Sequence, residues 1–319
     1  MKMTRFFYLL GLILVIKLAG ATGIDTTQIV EIGGIKQFLR ITGNDSEKPL
    51  LLYLHGGPGA AVSAHKDWVT GKLEDHFVVV HWDQRNSGKT LKMNQTAATN
   101  LAQMKKDAEE VMSFLLNQFK RERLVVLGNS WGTVLGFHLA KKYPEKVSAF
   151  IAVSPVVSNL KSQQKTLEIF KEHFQKEGNT KAVQQLSEVK IPYENVKQML
   201  VQYRWETEFG GEQMTDEQLD QLLSYFQNWE KMWMPLYQEL YKVDLEKSVT
   251  SIDCPVFFIV GDKDYTTYFK FTEEYFNRLK APSKKLFRME NTGHNIPAFA
   301  AGKLQDIIIE NISPDPGKK

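Results

Sequence analysis

Residues 124–132 read LVVLGNSWG. A run of apolar, β-forming residues stops at a serine with a glycine two places to either side, and a helical pattern, TVLGFHLAKK, follows at 133–142. Gly-x-Ser-x-Gly alone is a weak signal, because average glycine and serine usage produces it by accident in about one chain of this length in ten. The setting carries the reading. A strand that enters a sharp turn and then a helix lifts the turn's side chain above the sheet, and the flanking glycines remove side chains that would clash there. The helix N-terminus also favours negative charge developing beside the hydroxyl. An ordinary turn serine needs none of this, so Ser130 is expected to be a nucleophile.

Outward from this point the chain alternates. Leu50–Leu54, Val78–Trp82, Leu124–Leu127, Phe150–Val153 and Val256–Val260 are short runs of Val, Ile, Leu and aromatic residues, the pattern of strands buried on both faces of a parallel sheet. Leu101, Met104, Ala108, Val111, Met112, Leu115 and Phe119 repeat every three or four places, one face of an amphipathic helix. Further helical patterns occupy roughly 268–280 and 297–310. Strands alternating with helices imply βαβ units and a mostly parallel, doubly wound sheet, an α/β fold. The alternation breaks at 157–250, which reads as helical throughout, with Thr215-Asp-Glu-Gln218 as a capping box. This segment is expected to be a helical cap over the strand ends, inserted into a core made of 22–156 and 251–319. Its tryptophans and tyrosines are expected mostly to hold the cap's own helices together.

The first 21 residues stand apart. Lys2 and Arg5 precede the unbroken apolar run Phe6–Ile16, and Ala19-Gly20-Ala21 has the small-residue spacing of a signal-peptidase site. Eleven residues are too few to span a bilayer unaided, which takes about 20. An exported protein, periplasmic or secreted, is the expectation; Lys17 beside the cleavage site leaves an uncleaved anchor as the alternative. Lys2, Arg5 and Lys17 account for the formal net charge of +3, so the remainder is neutral and carries no electrostatic footprint for nucleic acid. The single cysteine, Cys254, excludes an internal disulfide.

A second glycine-rich motif, LYLHGGPGA at 52–60, directly follows the first core strand. A serine hydrolase of this topology places half of its oxyanion hole there and the other half just after the nucleophile, which assigns the two donors to the N–H groups of Gly57 and Trp131. The acid and base should then follow in the order Ser, Asp, His. The strand ending at Val260 runs into GDKDYTTY, where Asp264 at the loop tip is preferred to Asp262. The loop in KKLFRMENTGHNIP supplies His294, the one histidine of seven that lies after Asp264. Ser130, Asp264 and His294 form the expected triad. This chemistry calls for no metal and no organic cofactor.

With HGGPG, WDQRNSG and GNSWG in order, the sequence resembles the α/β-hydrolase superfamily, and within it the proline iminopeptidase (prolyl aminopeptidase) family of serine exopeptidases. The likeness covers nearly all of the chain after the leader and is most specific at 53–59, 82–88 and 128–132. Asn86 and Asn129 stand where the family usually has glycine, altering two loops that border the substrate. In that family, cap glutamates hold the free amino terminus of the substrate. YRWETEFGG is similar to the family's Trp-Glu segment, which implies Glu206, with Trp205 beside it, as substrate-binding residues, and Glu230 in NWEKMW as a second glutamate. The resemblance implies an aminopeptidase releasing N-terminal proline or another apolar residue from small peptides. A carboxylesterase, lactonase or amidase with the same triad is the alternative, and a non-catalytic binding protein on the same scaffold is the rival from another class. The expected partner is a small peptide or other small acyl substrate, with no stable membrane association unless the leader is retained.

Overall fold

The computed structural model describes residues 22–95 and 99–312; the leader expected at 1–21 lies outside them. Eight strands form one sheet: β1 (Ile24–Ile32), β2 (Ile35–Gly43), β3 (Leu50–Leu54), β4 (Val78–Asp83), β5 (Leu124–Asn129), β6 (Val147–Val153), β7 (Val256–Gly261) and β8 (Lys284–Met289). Their order is β1-β2-β4-β3-β5-β6-β7-β8. From β4 to β8 every pairing is parallel, whereas β1–β2 and β2–β4 are antiparallel.

The period-2 geometry of a strand explains the all-apolar runs in the middle of the sheet. Leu50, Leu52 and Leu54 enter one core with Val78, Val80, Trp82 and Val126, while Leu51 and Tyr53 enter the opposite core with Val79, Val125 and Leu127. Both faces need cover. Helices α3 (Leu101–Phe119) and α4 (Trp131–Lys142) cover the first through Met104, Val111, Leu135 and Phe137. Helices α1 (Lys66–Thr70) and α12 (Ala301–Asn311) cover the second through Val69, Leu304 and Ile308. Shorter elements complete the core: α2 (Gly88–Met93), α10 (Phe269–Arg278) and α11 (Ile296–Phe299).

Between β6 and β7 the chain leaves the sheet and forms α5 (Asn159–Lys176), α6 (Thr180–Ser187), α7 (Val196–Phe209), α8 (Asp216–Leu240) and α9 (Leu245–Ser248). A bridge between Ser158 and Asp244 closes the neck of this excursion. Side-chain oxygens cap these helices at Ser158, Asn179, Asn195 and Thr215. At Thr215 the capping box is complete, with Gln218 accepting a hydrogen bond from the Thr215 N–H at 2.8 Å. The excursion has its own core of Phe170, Phe174, Tyr193, Trp205 and Tyr241. Its longest helix, α8, also reaches down: Trp233, Leu236 and Leu240 belong to the main core. The cap is therefore seated on the sheet rather than tethered to it. Among the described residues no helix is long and apolar enough to cross a membrane.

Candidate active site

The turn between β5 and α4 holds Ser130 at φ +50° and ψ −119°, a conformation rare for a residue with a side chain. The surroundings over-determine it. The Ser130 N–H donates to the Val153 carbonyl at 2.9 Å, and Thr133 N–H and Oγ1 both donate to the Ser130 carbonyl. Gly132 is required here by a close approach: a Cβ at that position would lie 2.0 Å from the Leu54 carbonyl oxygen. The β3 strand end and the first turn of α4 thus meet backbone to backbone, and Ser130 is pushed up between them.

His294 Nε2 lies 2.9 Å from Ser130 Oγ, and His294 Nδ1 lies 2.9 Å from Asp264 Oδ2. His294 precedes α11, and its carbonyl accepts a 2.8 Å hydrogen bond from Ser154 Oγ at the end of β6. Asp264, in the loop after β7, is buried and held from behind by Thr267, whose N–H donates to Oδ1 and whose hydroxyl donates to Oδ2, each at 2.9 Å. Asp262 instead accepts the Thr292 N–H and so ties the aspartate loop to the histidine loop. Burial alone would depress the His294 imidazole, but the Asp264 carboxylate beside it raises it above the ordinary histidine value. Burial likewise works against the Asp264 charge, and the His294 interaction with the Thr267 donors holds its carboxyl below the usual range. This is a hydroxyl, a base and a buried acid in series, the arrangement that acyl transfer by a serine needs. Thr267 was not singled out from the sequence; the TTY following Asp264 was its only signal.

Gly57 and Trp131 both line the cavity that contains Ser130. Trp131 opens α4, so its N–H has no acceptor within the helix. Gly57 adopts φ +111° in the loop after β3, where a side chain would be strained and would meet the Ala60 N–H at 2.8 Å. Gln84 joins the two motifs: its Nε2 donates to the His55 carbonyl at 3.2 Å and its Oε1 accepts from Trp131 Nε1 at 2.8 Å. His55 is sealed beneath them, pushed down to about 4 by burial and therefore neutral. Arg85 pairs with buried Asp107 at 2.9 Å, fixing the same segment from the far side, and Asn86 occupies φ +56°. That is a left-handed position, which favours glycine and which asparagine tolerates.

The cavity lies between the strand ends and the cap and measures about 780 Å³. From the cap it is lined by the apolar Met199, Leu200, Leu222, Phe226 and Trp229, by the polar Asn159, Gln163 and Gln202, and by Glu206. Glu206 Oε1 accepts a 2.7 Å hydrogen bond from Thr266 Oγ1. Burial raises the Glu206 carboxyl to about 7, against the pull of the Thr266 hydrogen bond. From α8, Trp229 Nε1 donates to the Pro58 carbonyl at 2.7 Å. One cap helix thereby grips the glycine-rich loop.

Two residues expected from the sequence to bind substrate lie elsewhere. Glu230 is not in the cavity wall: its carboxylate accepts the Val196 N–H at 2.9 Å and caps α7. Trp229 faces the cavity, and the next residue of a helix is turned about 100° away. Trp205 is likewise turned away from Glu206 into the cap's own core, edge-on to Phe174, with Nε1 donating to Gln185 Oε1. Among the described residues no group of three or more His, Cys, Asp or Glu side chains could hold a metal ion.

Residues 49–301 match the family described by the alpha/beta hydrolase fold. A probable aminopeptidase of Bacillus subtilis (strain 168), YbaC, is 30% identical over 287 residues, covering 83% of this chain and 89% of that protein. Among solved structures, a proline iminopeptidase-related protein of Thermus thermophilus superposes with a TM-score of 0.57 at 21% identity, over 90% of this chain and 98% of the other. Est816, an N-acyl homoserine lactone degrading enzyme, superposes with a TM-score of 0.60 at 16% identity, over 89% of this chain and all of its own. The solved structures share the fold across different chemistries.

Proposed function

The chain belongs to the alpha/beta hydrolase family, and from that premise we propose that it is a serine aminopeptidase releasing an N-terminal proline or other apolar residue from small peptides. Ser130 Oγ attacks the scissile carbonyl as His294 takes its proton, and Asp264 stabilises the resulting imidazolium. The oxyanion is held by the N–H groups of Gly57 and Trp131. His294 then protonates the departing amine as its bond to carbon breaks. Water, activated by the same imidazole, hydrolyses the acyl-enzyme and restores Ser130.

One observation carries the specificity: Glu206, the one acid among the described residues lining the cavity, hangs from Thr266 two residues beyond Asp264. Burial makes its charge costly, and a substrate ammonium would restore that charge and satisfy it. A blocked or missing amine would leave the carboxylate unpaired, which discriminates against such substrates. The relationship to a probable aminopeptidase supports this reading. The apolar side chains of the cavity favour a second reading, an esterase, lactonase or amidase with the same triad and no use for Glu206. A panel of free and N-acetylated aminoacyl amides, assayed beside short acyl esters, decides between them. Cleavage of free amides with little turnover of blocked ones supports the aminopeptidase, whereas ester turnover alone overturns it. Labelling of Ser130 by a fluorophosphonate is expected in both cases, and its failure on folded protein would favour a binding module.

A further inference from the structure

The cavity has an unusual mouth. Of the five large apolar side chains exposed among the described residues, Trp68, Tyr203 and Tyr225 line this one cavity, and Phe299 directly follows Ala298 of its wall. Trp68 is 63% exposed and yet is fixed at both ends: its Nε1 donates to the Ala298 carbonyl at 3.1 Å, and its own carbonyl accepts from Gln305 Nε2 at 3.2 Å. Exposed apolar side chains gathered around one cavity mark a binding surface, whereas the same residues scattered singly would need no explanation.

The chemistry says which part of a ligand meets that surface. His294 Nε2 is the atom that hands a proton to the leaving group, so that group departs over the side of the cavity that the histidine loop builds. The residues after His294 that line the cavity are Asn295, Pro297 and Ala298, and Trp68 is hydrogen-bonded to the last of these. Trp68, Pro297 and Ala298 therefore form one apolar shelf on the proton-delivering side. Tyr225 and Phe226 of α8 line the same cavity.

We propose that this shelf is a leaving-group subsite that takes an apolar or aromatic residue immediately after the scissile bond, so that the preferred substrates are small peptides with an apolar second residue. The peptide form of the proposal rests on the aminopeptidase reading above; the shelf itself does not. An aromatic side chain there covers the Trp68 face and removes apolar area on both partners from water, whereas glycine covers none.

The test is a series of aminoacyl dipeptide amides sharing one N-terminal residue and carrying Gly, Asp, Leu or Phe after the scissile bond. We expect kcat/KM to favour Phe over Gly by about tenfold, Trp68→Gln to shrink that ratio at least fivefold, and Trp68→Phe to restore most of it. A ratio near one in the unaltered protein, or a ratio that Trp68→Gln leaves unchanged, overturns the proposal. If no aminoacyl peptide is cleaved, the peptidase reading has failed and esters of one short acid decide the subsite. A benzyl-over-methyl preference that falls in Trp68→Gln upholds it, and equal turnover of the two esters overturns it. Thermal unfolding of both variants separates lost preference from lost fold.

Discussion

Glu206 on cap helix α7 and Thr266 on the loop beyond β7 share a 2.7 Å hydrogen bond, 60 positions apart in sequence. A cap side chain and the loop that carries the triad acid are thus one unit. The bond engages one carboxylate oxygen and holds the group in the cavity wall.

Glu206→Gln should lower kcat/KM for free aminoacyl amides by about 10- to 100-fold, the cost of losing one buried charge-assisted partner. Turnover of short acyl esters should change little. Parallel assays of the two substrate classes check this, and equal losses on both would remove Glu206 from amine recognition.

The pH profile follows from two groups that must both have lost a proton. Glu206 is ionised only above about 7, and His294 acts as a base only above its raised value, so activity falls on the acid side. The substrate must keep its ammonium, whose ordinary value is about 8, so kcat/KM falls again above it. A narrow maximum between these limits is expected for aminoacyl amides. Esters should show the acid limb alone, and a profile for amides flat from pH 6 to 9 would contradict the assignment.

Ser130→Ala and His294→Ala should each lower kcat by about 10⁴-fold or more, and Asp264→Asn by about 10⁴-fold, with the double variant no worse than either single alanine. The three side chains act as a unit, so additive losses in a variant cycle would argue against the series from Asp264 through His294 to Ser130.

Gly132→Ala should destabilise the protein by about 3 kcal/mol or more, because the new methyl would meet the Leu54 carbonyl oxygen at 2.0 Å with backbone on both sides. Denaturant titration reads this directly. Ser130→Ala, which adds no atom, should leave the midpoint nearly unmoved.

Two buried histidines work against the fold as pH falls. Burial lowers His55 from 6.5 to about 4 and His81 from 6.5 to about 3. Unfolded chains take up these protons near 6.5 and the folded one cannot. The stability they contribute is therefore present above about 6.5 and is lost as pH falls toward 4, at up to ~1.4 kcal/mol per pH unit for each ring. Melting temperatures of the parent and His81→Gln at pH 7 and pH 5 should converge by one proton's share.

Much of this was legible in the sequence, for identifiable reasons. All five expected core strands are present because strands buried on both faces are apolar at every position, and the elbow announces itself through its glycines. The flanking strands were not foreseen. In β1, IDTTQIVEI alternates exposed and half-buried positions, and β8 begins with two lysines, so neither looks like the interior of a sheet. The cap helices follow their capping residues, but which helical residues face the cavity depends on how α7 and α8 are rotated. Glu206 is turned toward the cavity, and Glu230, one residue after cavity-facing Trp229, is turned away from it. Thr266, Thr267 and Gln84 lie inside the quoted GDKDYTTY and WDQRNSG stretches, but their hydrogen bonds to Glu206, Asp264 and Trp131 arise from the folded geometry, which spacing does not show.

The indole of Trp229 on the Pro58 carbonyl makes the roof a working part of the machine beneath it. That carbonyl belongs to the same glycine-rich loop as Gly57, so roof and loop are held in one register. Because α8 also plants Trp233, Leu236 and Leu240 in the main core, a substitution at Trp229 would loosen the loop without unseating the roof.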